Sequence, residues 1–266
     1  MPGPVLGGLF RFVRESLGVE APMTRLIIGL QLLVFGLCLM VDGGALWKRL
    51  LQGDFFAGFR IPTLVTFGAL GYFRFYGFEM PLGVLEPWRL LSAVFVHVGF
   101  LHIAMNLFTF ADLGRALERG IGSARFVVLF VLSGILGFLA SEIWYEVRGP
   151  PTAGASGGVF GQIGAVVGIL YSRRDPEWRR ALTRYLIFAV LLGLLLPVNT
   201  PAHLGGFFAG ILLGFLFHRE QVRLRLHRLM TVLAGLCLLA SVVSVALSVL
   251  SPNARQIRDL YEAQGG

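Results

Sequence analysis

The chain has 266 residues, 56% of them hydrophobic and only 14% charged, with a mean hydropathy of +0.75. A soluble globular domain carries about 25% charged residues, so this balance excludes an ordinary soluble domain and points to a polytopic membrane protein. The net charge of +8 has no soluble basic domain to carry it, so a nucleic-acid partner is not expected and membrane topology is the better explanation.

Residues 1–24 read as a short cytoplasmic tail with one weakly amphipathic turn at 10–14. Arg11 and Arg14 interrupt any apolar core there, and Glu15 and Glu20 argue against a transit peptide, so the first span is expected to act as an uncleaved signal. That span is expected over residues 26–41. The long connection 42–89 is rich in aromatics, among them Trp47, Phe55, Phe56 and Trp88, interleaved with Lys48, Arg49, Arg60 and Arg74. This mixture suits a membrane interface, and the segment is expected to lie partly in one leaflet. Further spans are expected at 90–113, 125–144, 155–171, 185–196 (ended by Pro197), 201–217 and 229–250, followed by a short polar tail over 251–266. Residues 25–218 thus form a six-span core, and 219–250 a basic linker with a seventh span. Cys38 and Cys237 fall in separate spans and read as packing residues, with no disulfide.

With the N-terminus in the cytoplasm, the inner segments hold fifteen of the 23 Lys and Arg residues. Most of the others lie in the interfacial loop beside Asp54, Glu79 and Glu86. The positive-inside bias therefore places the N-terminus inside and the C-terminus outside.

Polar groups inside a membrane helix are costly and are functional candidates. Ser156 opens the fourth span within Gly154-Ala155-Ser156-Gly157-Gly158. His203 opens the sixth, followed by Gly206, Gly210 and Gly214 at four-residue spacing, a pattern that lets a neighbouring backbone approach closely. His102 and Asn106 share one face of the second span. His97, five residues before His102, is expected to point away from that face and to have a structural role. By the topology, the second, fourth and sixth spans all begin on the outer side. At 17 residues the fourth span is about 25 Å long, short of a core of about 30 Å, so Ser156 is expected to sit below the outer surface in a water-lined cavity. A serine needs a base, and His203 is the histidine placed to serve. No Asp or Glu is expected near it, so the arrangement is a dyad. The Ser156 N–H, the Asn106 amide and the His102 imidazole are the candidate oxyanion donors. His97, His102 and His203 could in number hold zinc, but the five-residue spacing does not put His97 and His102 on one helix face. Neither a metal nor another cofactor is expected.

Taken together, these motifs resemble the rhomboid intramembrane serine proteases. They are Trp88-Arg89; His97, His102 and Asn106 as H-x4-H-x3-N; Gly114-x3-Glu118-x3-Gly122; Gly154-Ala155-Ser156-Gly157 as GxSG; and Ala202-His203-x2-Gly206-x3-Gly210. The resemblance implies an all-α polytopic fold of six helices plus one, with a loop in the membrane plane between the first two. It implies Ser156 as nucleophile, His203 as base, and His102 and Asn106 at the oxyanion hole. It also implies substrates that are single transmembrane helices with helix-destabilising residues, cut near the outer face, in a membrane such as the bacterial inner membrane. In three places the chain departs from the pattern. Phe160 stands where a Tyr commonly stacks on the histidine. Gly120 stands where Arg often follows the glutamate by two, and Pro201 replaces a frequent Gly. The alternatives are a non-catalytic member that binds and escorts transmembrane helices, and an unrelated proton-coupled transporter. Against the transporter, no paired repeats stand out among the spans. Oligomeric state is left open by glycine faces that can pack within one bundle or between subunits.

Overall fold

The structure is a computed structural model that describes residues 21–75, 77–195, 198–223 and 226–264. The turn expected at 10–14, the topological residues Arg11, Arg14 and Arg225, the loop aromatic Tyr76 and the helix-ending Pro197 lie outside them.

Helix α1 (Pro22–Leu51) continues ten residues beyond the expected end at Val41. Asp42, the first residue beyond that end, is buried and satisfied. Its two carboxylate oxygens accept the Arg60 backbone N–H (2.7 Å) and Arg60 Nε–H (2.8 Å). The described residues of the connection that follows include several further elements. Helix α2 (Ile61–Phe67) begins with Pro62 in its first turn and ends at Gly68, whose φ of +122° favours glycine. An antiparallel hairpin follows, β1 (Tyr72–Phe75) against β2 (Phe78–Pro81), with Tyr72 opposite Pro81 and Phe75 opposite Phe78. Two single-turn helices, α3 (Leu82–Leu85) and α4 (Arg89–Ser92), complete it. The hairpin is a small β element within an otherwise helical fold.

Arg89 organises this connection. Its wholly buried guanidinium donates to Glu86 Oε2 (2.5 Å) and, through Nη1, to the carbonyls of Val65 (2.6 Å) and Ala69 (3.1 Å) at the end of α2. The carboxylate and the orphan carbonyls of the helix end thus offset part of the cost of burying this cation, while Nη2 is buried without a protein partner.

The second long helix, α5 (Phe100–Ile121), starts ten residues later than expected. The stretch expected to open it runs through α4, a turn at 93–95 and then irregular backbone. Gly99 is extended, and a Cβ there would lie 2.3 Å from the Ala57 carbonyl oxygen. The Phe59 N–H donates to the Val98 carbonyl at 2.7 Å, so this stretch pairs with the loop instead of coiling. His97 is therefore not a helix residue. The remaining long helices are α6 (Ser123–Trp144), α7 (Ser156–Ser172), α8 (Glu177–Leu195), α9 (Thr200–Arg223) and α10 (His227–Leu250).

Among the described residues, four helices are long and apolar enough to cross a membrane: α1, α6, α9 up to Glu220, and α10; α7 is apolar but has 17 residues. The packing centres on α7 and α9, which meet through glycine. An added Cβ on Gly210 would lie 2.0 Å from the Gly161 carbonyl oxygen, and one on Gly164 2.0 Å from that of Phe207. Glu118, near the end of α5, accepts the N–H groups of Met23 (3.0 Å) and Thr24 (2.8 Å) and the hydroxyls of Thr24 (2.8 Å) and Ser123 (2.6 Å). One carboxylate thereby satisfies orphan donors at the start of α1 and joins α1, α5 and α6.

The C-terminal segment, expected as a polar tail, is instead an amphipathic helix, α11 (Pro252–Ala263). The Ser251 hydroxyl caps it by accepting the Ala254 N–H (3.0 Å). Ala254 and Ile257 are buried with Val65, Phe73, Phe75, Met80 and Leu82 of the loop, and Tyr261 meets Phe75 edge-on. Polar residues on the outer face of this helix hide the apolar stripe from a reading by composition.

Candidate active site

Ser156 is the first residue of α7, and His203 lies in the first turn of α9. The glycine seam holds these two helix starts together, and His203 Nε2 lies 2.8 Å from Ser156 Oγ. The Phe160 ring, one turn below the serine, stacks on His203 with centroids 4.4 Å apart and planes 10° from parallel. Phe188 of α8 also stacks on Phe160, with centroids 6.3 Å apart. Among the described residues no hydrogen bond joins His203 to a carboxylate.

The strand-like backbone leading into Ser156 is fixed from three sides. Thr152 and Leu70 exchange N–H···O bonds of 3.0 Å in both directions, and the Gly154 N–H donates to the Ala93 carbonyl at 2.8 Å. The Ala155 N–H donates to His97 Nε2 at 3.4 Å. Gly154 has φ +139°, and a Cβ there would lie 2.7 Å from the His102 ring, so both conformation and space require glycine. No side chain caps α7, and the amides of its first turn have no intrahelical partners.

His102 is oriented by its backbone neighbour. Its Nδ1 accepts the Val98 N–H at 3.3 Å, so in the neutral ring the proton resides on Nε2. That nitrogen faces the nucleophile loop at Gly154. Asn106 lies one turn further along α5, and its amide Nδ2 donates to the His102 carbonyl at 2.9 Å. The structure corrects one expectation here. His97 does not point away from His102; because it sits in the non-helical stretch before α5, the two rings lie 5.3 Å apart. No group of three His, Cys, Asp or Glu side chains converges as a metal site among the described residues.

A cavity of about 350 Å³ joins these parts, lined among others by Ser156, His203, His102, Asn106 and Phe160. Phe55 and Phe56 of the loop after α1 form part of its wall and are largely exposed, at 73% each. Of the residues singled out in sequence, Ser156, His203, His102, Asn106 and Phe160 line the cavity. Gly154, Gly157, Gly206 and His97 support its walls. Gly210, Trp88, Arg89 and Glu118 stand outside the lining, in the helix seam, the loop and the far end of α5.

The Rhomboid domain family model matches residues 84–220. The chain belongs to the rhomboid family. Its rhomboid relatives include the rhomboid protease GluP of Bacillus subtilis, 32% identical over 199 residues, which cover 72% of this chain and 34% of that protein. RHOMBOID-like protein 5 of Arabidopsis thaliana is 34% identical over 184 residues, 67% of this chain and 57% of that one. YdcA of Bacillus subtilis is 32% identical over 151 residues, 55% of this chain and 75% of that one. The chain thus spans about a third of the length of the first relative and over half of the second. With its apolar helices, the family makes this rhomboid an integral multi-pass membrane protein.

Several cavity residues escape the motif reading, Asn199 among them. Asn199 precedes Thr200-Pro201 at the start of α9 and lines the cavity. An Asn just before a proline-containing first turn has the form of a helix N-cap, and that signal is present in the sequence. Phe55, Phe56 and Phe188 carry no such signal, because their position depends on how distant elements fold back.

Proposed function

We propose that this rhomboid is an intramembrane serine endopeptidase that cleaves transmembrane helices near the outer face of the membrane. The observation that carries the reading is the 2.8 Å contact between His203 Nε2 and Ser156 Oγ at the wall of a cavity. Ser156 Oγ attacks the scissile carbonyl carbon while His203 takes its proton. The developing oxyanion receives hydrogen bonds from the Ser156 N–H at the start of α7 and from His102 Nε2–H. The Asn106 amide joins them once it turns from the His102 carbonyl toward the substrate. The tetrahedral intermediate collapses as His203 returns the proton to the leaving amine. Water, with its proton taken by His203, then releases the acyl group from Ser156. Phe160, stacked on the imidazole, holds the ring plane that these transfers need.

Substrates in this reading are single transmembrane helices with helix-destabilising residues, since a helical peptide bond is masked by its own hydrogen bonds until the helix unwinds locally. The N-terminus lies in the cytoplasm and the C-terminus outside, in a membrane such as the bacterial inner membrane. Residues 25–218 form the protease core, and the seventh span with its basic linker covers 219–250. A purely helix-escorting role has no observation of its own in favour, because serine and histidine are both present and in contact.

The test is cleavage of an engineered single-span substrate by the purified full chain in liposomes. The reading predicts cleavage by the wild type and none by Ser156→Ala or His203→Ala. Cleavage that persists in those variants, or a wild type inert toward every destabilised helix, overturns it.

A further inference from the structure

Resting on the Ser156–His203 reading, we propose that Asn199 is a positioning residue, whose side-chain amide fixes the histidine helix against the loop that carries the nucleophile. The orientation of this amide is determined by its partners. Its Oδ1 faces the Ala202 N–H at 3.1 Å, a group that can only donate, so the oxygen must lie there and the NH2 on the other side. That NH2 donates to Ser141 Oγ at 2.8 Å and to Thr152 Oγ1 at 3.1 Å. The Asn199 carbonyl accepts the His203 N–H itself at 3.1 Å.

The two halves of the amide therefore do different work. The oxygen caps α9: Asn199, Thr200, Pro201 and Ala202 are N-cap, N1, N2 and N3, and the N-cap oxygen meets the N3 N–H in the usual way. Pro201 at N2 has no N–H to leave orphaned. Capping alone stabilises a helix and says nothing about reactivity. The NH2 group, by contrast, reaches across to two other elements. Thr152 stands four residues before Ser156 and is bridged through its backbone to Leu70. Ser141 is buried in the last turn of α6. One side chain thus ties the start of the helix bearing His203 to the loop bearing Ser156 and to the helix behind both. The glycine seam sets how closely α7 and α9 approach, whereas this tether resists sliding of α9 along α7, which would lengthen the Ser156–His203 contact. Misplacing reacting groups by about 1 Å can cost on the order of a hundredfold in rate.

The experiment measures the rate at which a fluorophosphonate probe labels Ser156 in the full chain, per folded molecule, beside kcat and KM for a transmembrane substrate. Asn199→Ala is expected to slow labelling about tenfold and to lower kcat similarly, with KM within about twofold. Thr152→Val keeps the cap and removes one arm of the tether, and is expected to slow labelling about threefold. Because both changes break the same bond, the double variant should be no slower than Asn199→Ala alone. Wild-type labelling by folded Asn199→Ala, or losses that multiply in the double variant, would overturn the proposal. If Asn199→Ala does not fold, Thr152→Val carries the test: an unchanged rate and kcat then reject the tether. Failure of the underlying reading is separate, and appears as undiminished labelling in Ser156→Ala.

Discussion

Gly206 and Gly157 face each other backbone to backbone: a methyl group on Gly206 would lie 2.0 Å from the Gly157 carbonyl oxygen. A carbonyl cannot turn aside as a flexible side chain can. Gly206→Ala must therefore push α9 away from α7 and separate His203 from Ser156. Expected is a loss of about 1–3 kcal/mol in stability and at least about a tenfold loss of cleavage per folded molecule. Gly36→Ala, where nothing lies within 4 Å of the added carbon, is the control and should leave cleavage unchanged and stability equal or higher by up to about 1 kcal/mol. Thermal unfolding in detergent, with cleavage assays on the folded fraction, compares the two.

Glu118 holds the fold together at a distance from the cavity. Glu118→Ala leaves the Met23 and Thr24 N–H groups without their acceptor, at about 1–3 kcal/mol for each buried orphan. A lowered thermal midpoint is expected, with nearly unchanged activity in molecules that remain folded. The frequent arginine two residues later is Gly120 here, and the carboxylate is fully used by the start of α1 and by Ser123 without it.

The C-terminal helix is bound to the loop between α1 and α5 through Glu86. Besides Arg89, this carboxylate accepts the Ser251 hydroxyl and Asn253 Nδ2 (2.9 Å). A chain ending at Leu250 would lose both donors and uncover Val65, Phe73, Phe75 and Met80. Its thermal midpoint should fall, with a loss of about 2 kcal/mol or more. Arg89→Ala should cost more, about 3–5 kcal/mol, since it strands a buried carboxylate. Denaturation of the full chain and of each variant in the same detergent measures the order.

At Phe160 the stacking partner of His203 is a hydrocarbon ring. Phe160→Tyr keeps the ring and should retain activity within about threefold, whereas Phe160→Ala frees the imidazole plane and should lower kcat about tenfold. The kcat values of the three proteins decide it.

Much of this arrangement is legible in the chain because membrane helices write their constraints locally. Glycines four apart in α9 and the small residues around Ser156 mark a close helix pair by their spacing alone. Long apolar runs mark the spans. What is not legible depends on partners distant in sequence. Asp42 looks like a helix stop until Arg60 folds back onto it. His97 looks like a helix residue, but the stretch before α5 is held against the loop, by the Phe59 N–H on the Val98 carbonyl and by Gly99 against Ala57, and does not coil. The stretch 252–263 looks like a polar tail because its apolar residues, such as Ile257 and Tyr261, are spaced for one helix face only. Asn199 needs only the local rule for helix caps, but its link to Thr152 crosses 47 residues of sequence.

The central claim is that His203 activates Ser156. Reaction of the full chain with a fluorophosphonate, followed by mass spectrometry of the adduct, tests it most directly. The predicted result is one phosphonyl adduct, on Ser156, formed at least about a hundredfold more slowly in His203→Ala. An adduct on a different serine, or an undiminished rate in His203→Ala, would contradict the account.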